Sequence, residues 1–147
     1  SLMFGIQWDL VCQYLEAKDG LTEADINSNS TSWGNYSNVT RIISSDKAKQ
    51  TTDDGNTWTA ITGTKPASRV LLTTGASDET NKMNLYDFAG NEYEWTLEKT
   101  YFSGYPCASR GGGYNSTGSN SPAPYRHLVG TTESYYSIGF RPTLYVN

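Results

Sequence analysis

Apolar positions near the start of the chain recur at three- and four-residue steps. Phe4, Trp8, Val11 and Leu15 fall on one face of a helix. Ala17, Lys18, Asp19 and Gly20 then form a polar exit, with Gly20 placed to end it. Cys12 lies on the flank of this face, where burial as a small apolar thiol is the ordinary role of an unpaired cysteine. Helical period is lost after that. From 26 to 65 the chain is rich in Asn, Ser, Thr, Asp and Gly, which predicts loops with short strands at 41–44 and 58–62. The turn sequence Asp53-Asp54-Gly55-Asn56 precedes the second of these.

Residues 69–74 predict another short strand, closed by Gly75. The most patterned stretch is 84–102. Residues 87–91 form a turn, after which Tyr93, Trp95 and Leu97 alternate with Glu92, Glu94 and Thr96. Period two puts the apolar set inward and both Glu on the solvent face, although a Glu pair on one face also suits a cation or acid–base work. The tail, 138–146, returns to strand character.

At 147 residues the whole chain, 1–147, reads as one domain, large enough to bury a core. A net charge of −4 supplies no basic face for phosphates, which argues against a nucleic-acid partner. No apolar run reaches the roughly 18 residues of a membrane span, and no signal-peptide pattern is expected at the start. There is a single His, and Cys12 and Cys107 are far apart, so no Cys/His cluster has metal-ligand spacing. Phosphate-loop and nucleophile-elbow motifs are missing too. What the composition does supply is eleven Tyr amid many hydroxyls, the makings of a recognition surface. Near Asp87 and Asn91, side-chain oxygens suit a hard cation such as calcium, with turn capping as the alternative.

Read in order, several short motifs resemble the formylglycine-generating-enzyme domain. Gln7-Trp8-Asp9 is similar to its Trp-bearing helix, and Trp33-Gly34-Asn35 to its Trp-Gly-Asn loop. Residues 84–95 resemble its LYD-x-x-GN-x-x-EW signature, Arg110-Gly111-Gly112-Gly113 its RGG strand, Arg126 its isolated Arg, and Gly139-Phe140-Arg141 its terminal GFR. The resemblance implies an α+β domain with the C-type-lectin-like fold of that family: small mixed sheets, one clear helix and much loop. It further implies that Trp8, Trp33 and Trp95 are buried and that 91–96 pairs with the strand carrying Arg110. The family's oxidases hold copper with a C-terminal Cys pair. Here Pro142 follows Arg141 and no Cys follows Cys107, so the chain resembles a member without catalytic equipment and with no cofactor.

A narrower resemblance is to the variable proteins of diversity-generating retroelements, in which adenine-directed mutation diversifies a C-terminal region. Lys, Gln, Glu, Met and Trp are not reachable from the Asn codons such systems diversify. Those types fill 21 of residues 1–112, but residues 114–137 hold only Glu133. The positions so implicated are Tyr114, Asn115, Asn120, Tyr125, His127, Leu128, Val129, Thr131, Thr132, Ser134, Tyr135, Tyr136 and Ser137. Of these, Tyr114, Asn115, Tyr125, His127, Leu128, Thr131, Tyr135 and Tyr136 are expected to be exposed on one side, and Leu128 with Val129 to serve as apolar anchors. Arg110, Arg126, Gly139, Phe140 and Arg141 are expected to be locked into the scaffold, with Arg126 paired to backbone or carboxylate. The implied function is ligand recognition on a phage virion or bacterial surface, with a protein or glycan of another cell as partner. A formylglycine-generating oxidoreductase and an invariant lectin-like carbohydrate-binding module are the alternatives.

Overall fold

A computed structural model describes residues 1–132 and 134–144. Glu133 and the last part of the expected tail strand, Tyr145 and Val146, lie outside the described residues. Helix α1 (Gly5–Lys18) is the one long helix among the described residues, followed by the short α2 (Glu23–Asn27). Trp8, Cys12 and Leu15 are buried as their spacing requires, and Trp8 stacks on Phe88 with ring centroids 4.1 Å apart. Phe4 is not part of that face. It is the N-cap, largely exposed, and its N–H donates to Gln7 Oε1 at 2.8 Å. The opposite side of α1 also carries apolar residues, Ile6, Leu10 and Tyr14, all exposed.

The strands are shorter than the sequence suggests. They are β1 (Arg41–Ile42), β2 (Lys49–Thr51), β3 (Thr59–Ala60), β4 (Thr64–Lys65), β5 (Leu71–Leu72), β6 (Asn81–Lys82) and β7 (Leu85–Tyr86). Four more follow: β8 (Tyr93–Lys99), β9 (Cys107–Arg110), β10 (His127–Leu128) and β11 (Ile138–Phe140). Two-residue pairs β1–β4 and β6–β7 flank a three-stranded sheet ordered β3-β2-β5. The largest sheet runs β10-β9-β8-β11, with β11 parallel to β8 and the other pairs antiparallel. The expected pairing of 91–96 with the Arg110 strand is present, Glu94 opposite Arg110 and Trp95 opposite Ser109. This is an α+β domain of one long helix and small mixed sheets.

Short strands persist because side-chain amides take over the work of a ladder. Asn35 Nδ2 donates to Val70 O at 3.1 Å and to Asn91 Oδ1 at 2.9 Å. Asn91 in turn accepts from Leu72 N and donates to Leu72 O. Asn91 holds φ at 62°, a left-handed conformation Asn tolerates better than most residues. The core gathers above this bracket: Trp8, Leu15, Ile26, Trp33, Tyr36 and Phe88 form one cluster. Val70, Leu72, Ile61, Ala48 and Ala76 form another.

Strand β8 keeps Tyr93 inward as expected and reverses the alternation after it. Glu94 and Thr96 are buried, Trp95 is half-buried and Leu97 is exposed. Polar side chains go inward because each meets a partner there. Arg141 grips Glu94 with Nε and Nη2 at 2.8 and 2.7 Å, and Thr96 Oγ1 donates to Ala108 O at 2.8 Å. Glu98 meets Arg110 and Arg126. A buried carboxylate matched by a two-pronged guanidinium is tolerated where an unpaired one is not. Phe140 is likewise not locked. It lies on the Trp95–Leu97 side of the sheet and is 71% exposed.

No helix among the described residues is long and apolar enough to cross a membrane.

Candidate recognition face

The 114–137 stretch divides into two parts with different surroundings. The first is clamped. Trp8 Nε1 donates to Ala123 O at 2.9 Å, Tyr36 Oη to Ser121 O at 3.0 Å and Tyr93 Oη to Ser121 Oγ at 2.8 Å. Backbone bonds Ser30 N to Gly118 O and Tyr114 N to Asn91 O complete the clamp. Gly112, at φ 78°, passes so close to Tyr36 that a Cβ would lie 2.9 Å from its ring. Tyr114, expected on the surface, is 2% exposed, and its hydroxyl donates to Asp54 Oδ1 at 2.9 Å. Burial raises the Tyr114 pKa, and the Asp54 carboxylate pushes it further the same way. Asn115 is half-buried beside Gly113, and Asn120 alone of this part's implicated residues is exposed.

The second part lies open. Tyr125, Thr131, Thr132, Ser134 and Tyr136 are exposed, and His127, Leu128, Tyr135 and Ser137 are half-buried. Val129 is the exception, 6% exposed and therefore scaffold rather than contact surface. Among the described residues, the side-chain hydroxyls of Tyr125, Thr131, Thr132, Ser134, Tyr136 and Ser137 make no hydrogen bond within the chain, so they are free for a ligand. His127 connects surface to interior. Its ring stacks on Tyr93 at 4.5 Å and on Tyr125 at 6.5 Å.

Charged anchors hold the two ends of this open part. Arg110, with no exposed side-chain surface, bonds Glu98 through Nη1 at 2.5 Å and Asp9 through Nη2. Arg126 completes a ring of two cations and two anions, its Nε on Glu98 Oε1 at 2.5 Å and its Nη2 on Asp9 Oδ2 at 3.1 Å. It is paired to carboxylates as expected, though half its side chain remains in water. Burial works against the Arg126 charge, but Glu98 and Asp9 outweigh it and raise its pKa. At the other end Arg141 bridges Glu94 and Tyr86 O and lies over the Phe88 ring at 5.7 Å. Burial raises the Glu94 pKa, and Arg141 opposes it. Gly139 is fixed beside Glu92, whose Oε2 would lie 2.7 Å from a Cβ there.

Ser109 Oγ lies 3.4 Å from His127 Nδ1, but Ser109 is fully buried and no carboxylate among the described residues orients the imidazole. Burial lowers the His127 pKa. Cys12 and Cys107 are both free thiols, and burial pushes Cys12 up to about 12, so it is protonated at neutral pH. Near the expected calcium position the oxygens already have partners: Asp87 accepts from Gly75 N and Thr80 Oγ1, and Asn91 from Leu72 N and Asn35. These bonds reach from other segments of the chain rather than from within the 87–91 turn. Among the described residues no cluster of three His, Cys, Asp or Glu has the geometry of a metal site.

One surface feature falls outside the pattern described for 114–137. Tyr101, Phe102 and Tyr105, at the tip joining β8 to β9, are exposed aromatics. Their signal was available as three rings within the polar, Gly- and Pro-bearing run 100–106. No family model, curated protein or solved structure matches the chain.

Proposed function

We propose that this protein is a recognition module of the C-type-lectin-like type, and that the part of the chain from Tyr125 to Ser137 is a diversified binding face like that of retroelement variable proteins. The observation that carries this reading is the run of exposed side chains with unspent hydroxyls held between two charged anchors, the Arg126 ring and the Arg141–Glu94 pair. Tyr125 and Tyr136 supply rigid contact area, and Thr131, Thr132 and Ser134 supply adaptable hydrogen bonding. Changes at such positions leave the scaffold standing, because exposed loop substitutions usually move stability by less than about 0.5 kcal/mol. The partner is a protein or glycan on another cell, met by a phage virion or a bacterial surface. No catalytic step is assigned to this face.

Sequencing the surrounding locus tests the reading. The expected result is a near-copy of the segment encoding 125–137 that differs from it only at adenines, next to a reverse-transcriptase gene. A locus with neither removes the diversified face.

A further inference from the structure

The exposed aromatic tip between β8 and β9 stands beside the open part of the chain, and the two enclose a cavity. It measures about 250 Å³ and is lined chiefly by Thr100, Tyr101, Phe102, Ala108 and Leu128. The tip is ordered by its own bonds, Thr100 N to Pro106 O at 3.2 Å and Tyr105 N to Phe102 O at 3.0 Å. Thr100 Oγ1 adds a bond to Tyr105 O. The cavity is smaller than the roughly 300–1,000 Å³ of small-molecule sites, so it suits a single side chain.

Charge at the mouth narrows the occupant. Both oxygens of Glu98 are spent, one on Arg110 and one on Arg126. Arg126 uses Nε and Nη2 on carboxylates, which leaves Nη1 unbonded among the described residues. Lys99 is exposed and makes no ion pair among the described residues. The unpaired charge at the mouth is therefore the positive one of Lys99, with Arg126 Nη1 beside it as an unspent donor, on a chain whose net charge is −4. We infer that this cavity receives one aromatic or branched aliphatic side chain of a protein partner, with an adjoining carboxylate of that partner meeting Lys99 and Arg126. The inference rests on the reading of 125–137 as a recognition face. To that reading it adds a fixed wall, built by the hairpin, that diversification at Leu128 would retune without rebuilding.

The test is an NMR titration of the intact ¹⁵N-labelled protein with three probes. These are N-acetyl-phenylalanine, its uncharged amide, and glucuronate as a carboxylate-bearing sugar. The acid is expected to shift the amides of Phe102, Ala108 and Leu128 saturably and to bind about threefold tighter than the amide, the size of an exposed ion pair. Lys99→Gln should reduce that preference while leaving the remaining resonances in place. Absence of saturable shifts at these residues up to about 20 mM, where a millimolar site is filled, would overturn the pocket. Equal binding of acid and amide would overturn the carboxylate part, and preference for glucuronate would overturn the protein partner. Shifts confined to Tyr125 and Tyr136 would remove the pocket but leave the recognition face intact.

Discussion

Residues 111–123 and residues 125–137 are neighbours in sequence and both carry Tyr, Ser and Thr, yet the first is packed into the scaffold and the second is largely surface. Tyr114 and Tyr125 make the contrast concrete, at 2% and 41% exposure. Backbone rather than side-chain type decides which is which. In the first stretch, glycines at 111 and 112 adopt φ of 98° and 78° and let the chain run against Trp8 and Tyr36. Their neighbours' carbonyls then receive donors from the core: Gly111 O and Ser121 O from Tyr36, and Ala123 O from Trp8. Into the second stretch the core donates near the two ends, from Ser109 Oγ to His127 O at 3.4 Å and from Tyr93 N to Ser137 O at 2.9 Å. It is held at its ends by Arg126 and Arg141 and inside by buried Val129, while Tyr125, Thr131, Thr132, Ser134 and Tyr136 lie exposed. A chain that must present many sequences on one fold is best served by this division, in which stability resides in the frame and contact in the span.

The largest expected effect falls on the clamp. Replacing Trp8 by Ala removes a fully buried ring, its stacking on Phe88 and the bond to Ala123 O, and should cost about 3–5 kcal/mol in urea unfolding. A loss below about 1 kcal/mol would mean that the 111–123 stretch is not held from α1.

Next comes the far anchor. Arg141→Met leaves Glu94 buried without its cation and should cost about 3 kcal/mol at neutral pH. That is the lower end for a buried pair, since Arg141 keeps 24% of its side chain in water. The sign of the pH dependence follows from the direction of the shift. Burial holds the Glu94 pKa above its ordinary value even with Arg141 present, and removing Arg141 raises it further. The folded variant then binds a proton that the unfolded chain releases. Its deficit relative to the parent should therefore shrink as pH falls through the raised Glu94 pKa and be full well above it. A deficit that does not change between neutral pH and about pH 4 would dissociate Glu94 from this anchor.

Which parts of this were legible in the sequence follows the same division. The helix was, because Trp8 and Leu15 keep helical period and their partners lie behind a single face. The resemblance also implies the pairing of 91–96 with the strand carrying Arg110, which is present. The inward face of β8 was not legible. Alternation assigns Glu94 to solvent unless Arg141 is known to sit beside it, and those residues are 47 positions apart. The pattern at 69–74 predicts too long a strand for a related reason: on one edge of β5, Leu72 N and O bond the side chain of Asn91, 19 positions away, in place of a neighbouring strand. Within 114–137, composition identified the open part but could not separate it from the clamped part. Tyr114 looks like Tyr125 until Asp54 and the turn at Gly111 and Gly112 are placed around it.

The smallest effect separates those two tyrosines most directly. Tyr114→Phe removes a hydroxyl that donates to Asp54 at 2.9 Å from a buried ring. A charged acceptor makes that bond stronger than a neutral one, while Asp54 is exposed and water replaces the lost donor. The two effects oppose each other, so the expected cost is about 1 kcal/mol. Tyr136→Phe removes a hydroxyl that makes no hydrogen bond among the described residues and should change stability by less than about 0.5 kcal/mol. Paired melts of the two variants under one buffer decide the matter. If both lose the same amount, Tyr136 belongs to the frame as much as Tyr114 does, and the span between the anchors is not free surface.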